Sequence, residues 1–158
     1  MIRKAALEDI PSLVGLENLC FDLDRISAKN FRHLLTKGNA ETFVYELIEN
    51  DNKIIAGYAA LLFRKGSSLA RLYSIAVHPA RRGRKIGEAL LSEAERTAIS
   101  RECVYLRLEV RKDNLIPISL YKKFMYKQIG SIPGYYEDKT EALSFKKILC
   151  PNFGSGLK

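Results

Sequence analysis

Tryptophan is missing from this 158-residue chain, and histidine and cysteine nearly so: two histidines, His33 and His78, and three scattered cysteines, Cys20, Cys103 and Cys150. An odd, dispersed set with no Cys-x-x-Cys gives neither a disulfide framework nor a Cys/His zinc site, so no metal is expected. Each cysteine lies in or beside an apolar segment and reads as a small buried hydrophobe. No apolar run approaches the roughly 20 residues that cross a bilayer. The start, MIRKAALEDI, has no signal-like apolar stretch. A cytoplasmic protein without membrane attachment is therefore expected. There is no internal repeat, low-complexity tract or linker either. Length and this uniformity predict a single domain over residues 1–150, with a loose tail over 151–158.

Acidic residues are the scarcer charge, and the formal net charge is +8. Nucleic acid, ribosomes, acidic proteins and a polyphosphate cofactor are all compatible with that excess, which speaks about partners and not about fold. The positive charges are spread along the chain, with local clusters at 81–85 and 121–127. A diffuse basic surface is the plainest reading. No basic stripe interleaved with aromatics is evident, so direct nucleic-acid binding is not expected.

Hydrophobic periodicity divides the chain. Residues 2–4 suit a short edge strand. Ile10, Leu13, Val14, Leu16 and Leu19 recur at helical spacing, and Ser27 is placed to cap a second helix carrying Phe31, Leu34 and Leu35. Residues 21–26 between them read as a loop. Residues 42–48, 54–63 and 69–77 are apolar, β-branched runs separated by turn signals, which predicts an antiparallel meander. Ile86, Ala89, Leu90, Ala94 and Ala98 mark a helix. Val104, Leu106, Leu108 and Val110 then alternate against Tyr105, Arg107 and Glu109 as in a strand. A strand, helix and strand in that order predict a parallel pair with a crossover helix. A further helix is expected from about 114 to 126, with Pro117 as its third residue. Gly130 and Pro133-Gly134 then break the chain, and residues 142–149 read as a last strand. The sum is an α+β, mixed α/β domain: a twisted, mostly antiparallel sheet with one parallel strand pair, flanked by about four helices.

One segment carries chemistry. Ile75-Ala76-Val77 runs as an apolar strand into the basic, glycine-bearing loop His78-Pro79-Ala80-Arg81-Arg82-Gly83-Arg84-Lys85, and Ile86-Gly87-Glu88 opens the helix. A helix N-terminus offers unpaired N–H groups and a partial positive charge, glycine lets backbone approach closely, and arginine adds charge-assisted bonds. The loop is suited to a phosphate, although a solvated basic turn would look the same.

This segment resembles the acetyl-coenzyme A signature of the GNAT acetyltransferases, Arg/Gln-x-x-Gly-x-Gly/Ala, here Arg82 to Gly87. The resemblance implies acetyl-CoA as co-substrate. It implies that amides over Gly83, Arg84, Lys85, Ile86, Gly87 and Glu88 cradle its pyrophosphate, and that Ile75, Ala76 and Val77 pair with its pantetheine arm like an added strand. Lys85 departs from the family's usual glycine. Over roughly 70–149 the likeness sharpens. Leu108-Glu109-Val110-Arg111-x-x-Asn114, then Leu120-Tyr121, then Tyr135-Tyr136, are similar to the ribosomal-protein alanine and protein N-terminal acetyltransferases. By position, Glu109 falls on that family's general base, Asn114 on a coenzyme-contacting asparagine and Tyr121 on its general acid. Met125-Tyr126 replaces the customary Gly-Phe.

The chemistry suits these residue types. An amine must lose a proton before attacking a thioester, and a peptide α-ammonium gives one up at about 8 against about 10.4 for lysine. A carboxylate can take that proton, and a phenol can protonate the departing thiolate. Singly, Glu109 also reads as a solvated face residue beside Arg107 and Arg111, and Tyr121 as a helix tyrosine packed on Pro117 or Phe124. His78, whose titration range suits a base, more simply ends the strand before Pro79. For the acceptor, Phe21, Asp22 and Asp24 in the first loop and Tyr135 and Tyr136 in the last are candidate walls. Asp22 and Asp24 would attract an amine or cap the next helix; the tyrosines would otherwise flank a turn. A protein or peptide amine, ribosomal proteins included, is the acceptor the resemblance implies, with the enzyme a monomer or homodimer. A small amine, or a non-catalytic module binding acetyl-CoA or RNA, are the rival readings.

Overall fold

The computed structural model describes residues 1–149. The tail expected over 151–158, and Cys150, lie outside the described residues. Seven strands form one sheet in the order β1-β2-β3-β4-β5-β7-β6. They are β1 (Ile2–Lys4), β2 (Ala40–Glu49), β3 (Asn52–Phe63), β4 (Leu69–Val77), β5 (Tyr105–Arg111), β6 (Lys127–Ile132) and β7 (Ala142–Ile148). Four α-helices accompany them: α1 (Ile10–Cys20), α2 (Ala28–Thr36), α3 (Ile86–Ser100) and α4 (Leu115–Lys123). Every neighbouring pair is antiparallel except β4 and β5, which the α3 crossover makes parallel. The expected meander is β2-β3-β4.

Alternation within the strands splits the core in two. Leu106, Leu108 and Val110 turn to one face, where Leu90, Leu91 and Ala94 of α3 cover them. On the other face, Leu13, Leu16 and Phe31 from α1 and α2 pack on Val44, Tyr58 and Ala76. Each fully buried large apolar side chain contributes about 1.5–3 kcal/mol by leaving water. Cys103 belongs to the first core and is buried; Cys20, at the end of α1, is only half-buried. Ser27 caps α2 by accepting the Asn30 N–H.

Two local features aim the elements at the cleft described below. Gly57 in β3 lies under the start of α3: a β-carbon there would sit 2.8 Å from the Ala76 carbonyl oxygen and 3.1 Å from Leu90 Cδ1. Its bareness lets the N-terminus of α3 settle against the sheet. The second feature is the end of α4. The helix stops at Lys123 rather than near 126, because Met125 takes φ +72° and turns the chain out of the helix. Tyr126 N–H donates to the Tyr121 carbonyl and Met125 N–H to that of Lys122, the paired bonds of a Schellman cap. The left-handed residue explains why glycine is customary where Met125 stands.

Two further expectations are corrected. Val104 does not share the inward face of β5; it precedes the strand and is exposed. Gly130 does not break the chain but lies inside β6, next to an irregularity in register between Gln128 and Gly130. The turn falls instead at Gly134, φ +65°.

Candidate active site

The parallel pairing of β4 and β5 is short. It runs from Leu69↔Tyr105 to Leu72↔Leu108 and stops. Beyond it, β5 continues against β7 and β4 against β3, so the two strands part. The register of β3 with β4 slips at this point, leaving Tyr73 as an extra residue. Such a bulge bends its strand and sharpens the divergence. His78 N–H donates to the Ala56 carbonyl at 2.7 Å. Since antiparallel partners alternate, Val77 and Ile75 then turn their own N–H and C=O groups to the opposite edge, into the gap. The Cys20 thiol donates to the Val77 carbonyl there at 3.3 Å.

A cleft of about 450 Å³ fills the wedge between the parted strands. Its walls include Ile75 of β4, Glu109 of β5, Asn114 and Tyr121 of α4, Phe21 and Asp24 of the α1–α2 loop, and Tyr135 and Tyr136 of the β6–β7 loop. Residues named from four separate stretches of sequence thus meet in one cavity. Asp22 is exposed and does not line it. Ala76 turns its side chain into the core beneath α1.

The basic loop stands at one end of β4. His78 accepts the Ala80 N–H through Nδ1 at 3.1 Å and caps a single turn, so the imidazole organises the loop and does not face the cleft. Gly83 takes φ +87° and Lys85 φ +62°, the left-handed region. That conformation is the reason glycine is usual at Lys85, and lysine holds it at a cost of order 1 kcal/mol. Lys85 is the N-cap of α3 and its side chain makes no capping bond. The first helical bond runs from Ala89 N–H to the Lys85 carbonyl. The amides of Lys85, Ile86, Gly87 and Glu88 are therefore the helix's free donors. Arg81 is ion-paired with Glu49, and Arg84 lies 3.4 Å from the same carboxylate. Among the described residues Arg82 has no carboxylate partner. Glu88 is held by Lys123 at 2.9 Å, which keeps its charge on the α4 side.

Glu109 is not a solvated face residue. Its side chain is 5% exposed, with Oε2 accepting from Arg107 Nε at 2.9 Å and Oε1 lying 3.1 Å from Arg71 Nε. The Arg71 contact is an ion pair whose angle is too bent for a hydrogen bond. The second arginine is Arg71 from β4 and not Arg111. Arg111 forks onto Asp138 at 2.7 and 3.2 Å and lies 5.1 Å from the centre of the Tyr136 ring. It ties β5 to the β6–β7 loop, and its guanidinium holds Asp138 well below the usual carboxylate range.

Tyr121 is 4% exposed and wedged edge-on to Tyr126, 5.9 Å between ring centres, with Phe145 behind at 6.3 Å. The Schellman cap that joins Tyr121 to Tyr126 thus also fixes this ring. Burial pushes its hydroxyl far above the ordinary phenol range, so it stays protonated at neutral pH. Asn114 is the N-cap of α4 but makes no capping bond with its side chain. Asp24 neither caps α2 nor stands free: it accepts the Glu137 N–H at 3.3 Å and joins the two loops over the cleft. Tyr135 receives a bond from Arg71 at 2.8 Å, and burial pushes Tyr136 up to about 12.

Sequence patterns missed a buried polar chain at the cleft wall. Glu17 of α1 is buried, accepts the Ile26 N–H at 2.8 Å and a short bond from Tyr58, and Tyr58 also meets Ser74 at 2.7 Å. Burial raises the Glu17 carboxyl above its ordinary value. A glutamate at helical spacing inside Leu13, Leu16 and Leu19 was the available signal. Among the described residues there is no helix long and apolar enough to cross a membrane, and no cluster suited to a metal.

A helix N-terminus without a side-chain cap thus stands beside a parted parallel pair on a mixed sheet, with a carboxylate and a phenol in the wedge. The chain belongs to the GNAT acetyltransferase family: residues 10–125 match the model described as Acetyltransferase (GNAT) family. It is 31% identical over 140 residues, 89% of each chain, to a Bacillus subtilis (strain 168) protein provisionally named the alanine N-acetyltransferase of ribosomal protein bS18. Solved structures that share its fold include two acetyltransferases. The ribosomal-protein-S18-alanine N-acetyltransferase of Escherichia coli matches with TM-score 0.80 at 24% identity, covering 94% of this chain and 93% of that one. Arabidopsis thaliana NAA60, in complex with acetyl-CoA, matches with TM-score 0.83 at 17% identity, covering 94% and 98%. The protein is an N-acetyltransferase of GNAT type, similar to the ribosomal-protein-alanine enzymes.

Proposed function

We propose that this enzyme transfers an acetyl group from acetyl-CoA to the α-amine of a protein or peptide, with Glu109 as general base and Tyr121 as general acid. The observation that carries this is their meeting in one cleft where β4 and β5 part. The coenzyme's pyrophosphate rests on the free amides of α3 with Arg82, and its pantetheine arm pairs with the outward N–H and C=O groups of Ile75 and Val77. Asn114 contacts the coenzyme beside Tyr121. In the reaction, Glu109 accepts one proton from the ammonium, and the freed amine nitrogen bonds to the thioester carbon. The carbon–sulfur bond breaks, Tyr121 gives its proton to the leaving sulfur, and the second proton shed by the nitrogen restores the Tyr121 hydroxyl. Arg71 and Arg107 orient the carboxylate. The 21–26 and 132–140 loops, which would border an acceptor peptide, supply Phe21, Asp24, Tyr135 and Tyr136 to the cleft wall. The relative named for bS18 favours the α-amine reading, and an α-amine is the less demanding substrate for a carboxylate base.

Purified enzyme assayed with acetyl-CoA against N-terminal peptides, lysine peptides and polyamines tests the acceptor class. Acetylation of small amines or lysine alone would overturn it. Glu109→Gln tests the base. We expect the acceptor's kcat/KM to fall about 10²–10⁴-fold near neutral pH. The loss shrinks as pH rises past the amine's own pKa, since solvent then supplies the free amine. A pH profile parallel to wild type from about pH 6 to 10 would leave Glu109 only a positioning role.

A further inference from the structure

Cross-strand register brings together four cations that are far apart in sequence. Arg71 of β4 pairs with Arg107 of β5, Arg107 with Lys146 of β7, and Lys146 with Lys127 of β6. Directly paired residues point to the same face of a sheet, so the four side chains stand in one row across four adjacent strands. At about 4.8 Å per strand the row is about 14 Å long, the reach of roughly four extended residues. Like charges placed directly opposite one another are destabilising. Here a single acid, Glu109, sits beside the row and answers both arginines. Among the described residues Lys127 and Lys146 have no carboxylate partner; Lys146 lies over the Tyr105 ring at 4.4 Å instead. Nothing in the folding of the sheet calls for this repulsion.

The row also lies in the right place. It occupies the face opposite α3, and α1 and α2 pack on that face over β2, β3 and β4. A second cavity of about 470 Å³ has Leu69, Arg71 and Arg107 in its floor, with Ser67 and Tyr135 at its sides. Arg71, Glu109 and Tyr135 line this cavity and the catalytic cleft alike. A chain with its amine at Glu109 and passing Tyr135 meets Arg71 and Arg107 first, and the strand register carries the row on from there, past the cavity, to Lys146 and Lys127. Nucleic acid fits less well: of the aromatics beside the row, Tyr105 is covered by Lys146, Tyr73 lies under Arg71 and Tyr135 is held edge-on to Tyr136, so they do not make the run of open, parallel faces on which successive bases stack.

We infer that the row Arg71–Arg107–Lys146–Lys127 is the docking track for an acidic acceptor polypeptide, whose carboxylates lie within about four residues of the acetylated amine. This rests on the peptide α-amine reading above, and its experiment separates the two. The first arm measures binding without chemistry. A fluorescent peptide, already N-acetylated and with aspartates at positions 2–5, is compared with its asparagine counterpart in the presence of coenzyme A. Wild type should bind the acidic peptide on the order of 5- to 30-fold more tightly, as several partly exposed ion pairs allow, and the difference should shrink with added salt. Lys127→Gln/Lys146→Gln should abolish most of the preference and leave the asparagine peptide unaffected; Lys127→Gln alone, on an exposed side chain, serves if the double variant folds poorly. The second arm measures turnover on the same peptides with free amines, where the preference should appear in KM and not in kcat. Equal binding of the two peptides, or a preference untouched by the lysine variants, overturns the inference. Tighter, lysine-dependent binding of a short single-stranded RNA than of the acidic peptide overturns it as well. Lysine-dependent acidic-peptide binding without acetylation of any peptide upholds the docking track and sinks the peptide-acetylation reading.

Discussion

The two sides of the cleft are built by different means. The coenzyme side is one continuous stretch, residues 75–88, in which a strand, a left-handed turn and a helix N-terminus follow one another, with Gly57 clearing the ground beneath. Backbone groups do the work, and few side chains matter. The acceptor side is collected from α1, β4, β5, α4 and the β6–β7 loop, and depends on side chains held by other side chains: Arg71 on Tyr135, Arg111 on Asp138, Asp24 on the Glu137 amide. A backbone site tolerates residue change and keeps its ligand. A side-chain site changes its ligand with few substitutions. Within one family, the first should be constant and the second adaptable.

Substitutions can break that division or sharpen it. After Glu109→Gln, the largest effect should come from Tyr121→Phe, which stands at the junction of the two sides. Turnover should fall about 10²-fold, with folding and both binding constants nearly unchanged. Wild-type turnover when chemistry limits the rate would remove its acid role. Arg82→Ala should act on the coenzyme side alone. Losing one charge-assisted contact weakens acetyl-CoA binding by about 1.5–3 kcal/mol, with the acceptor's KM little changed, as calorimetry and initial rates would show.

Glu17→Gln probes the buried chain between α1 and β4 through stability. Burial raises the folded pKa of Glu17, so its contribution is fully present below the unfolded value and is lost as pH rises through the folded one. The glutamine variant should therefore gain on wild type in thermal midpoint as pH increases from 4.5 towards 8. A gap between the two that is constant across this range would place the titration elsewhere. The smallest effect belongs to Lys85→Gly. Glycine takes the left-handed conformation without strain, so coenzyme affinity and turnover should stay within a few-fold of wild type and stability should shift by less than about 1 kcal/mol. Collapse of either would mean that the lysine itself holds the coenzyme.

The same division explains what could be read in the sequence. Helix α3, the meander and the parallel pair follow from periodicity, and the glycine-bearing loop that opens a helix is legible in Arg82-Gly83, because these are local. Glu109, Asn114 and Tyr121 could be named by the resemblance of the Leu108–Tyr121 stretch to the alanine and protein N-terminal acetyltransferases. Their surroundings could not. Beside Arg107, the second arginine at Glu109 proved to be Arg71, not Arg111, because a parallel register decides which arginine stands beside it. Asp24 was expected to face an amine or cap a helix; its bond to the Glu137 amide joins positions 113 residues apart. The end of α4 was misplaced because nothing in Met125 announces a left-handed residue; only the structure shows φ +72° there. The row of cations is invisible as text, where it is four scattered basic residues in a basic chain.

A sheet of seven strands ordinarily has two edges. The early parting of β4 from β5 gives this one a third, in its interior, where the amides of Ile75 and Val77 have no strand beside them. An exposed edge of that kind invites a second protein's strand and with it aggregation. This one opens into a cleft that Glu17 of α1 and Pro117 and Tyr121 of α4 also line, so an incoming edge strand would have to enter between helices. In the function proposed above, what reaches it is a single thin chain with one amide every few atoms. On that reading the molecule keeps its sheet unfinished so that a ligand's backbone completes it.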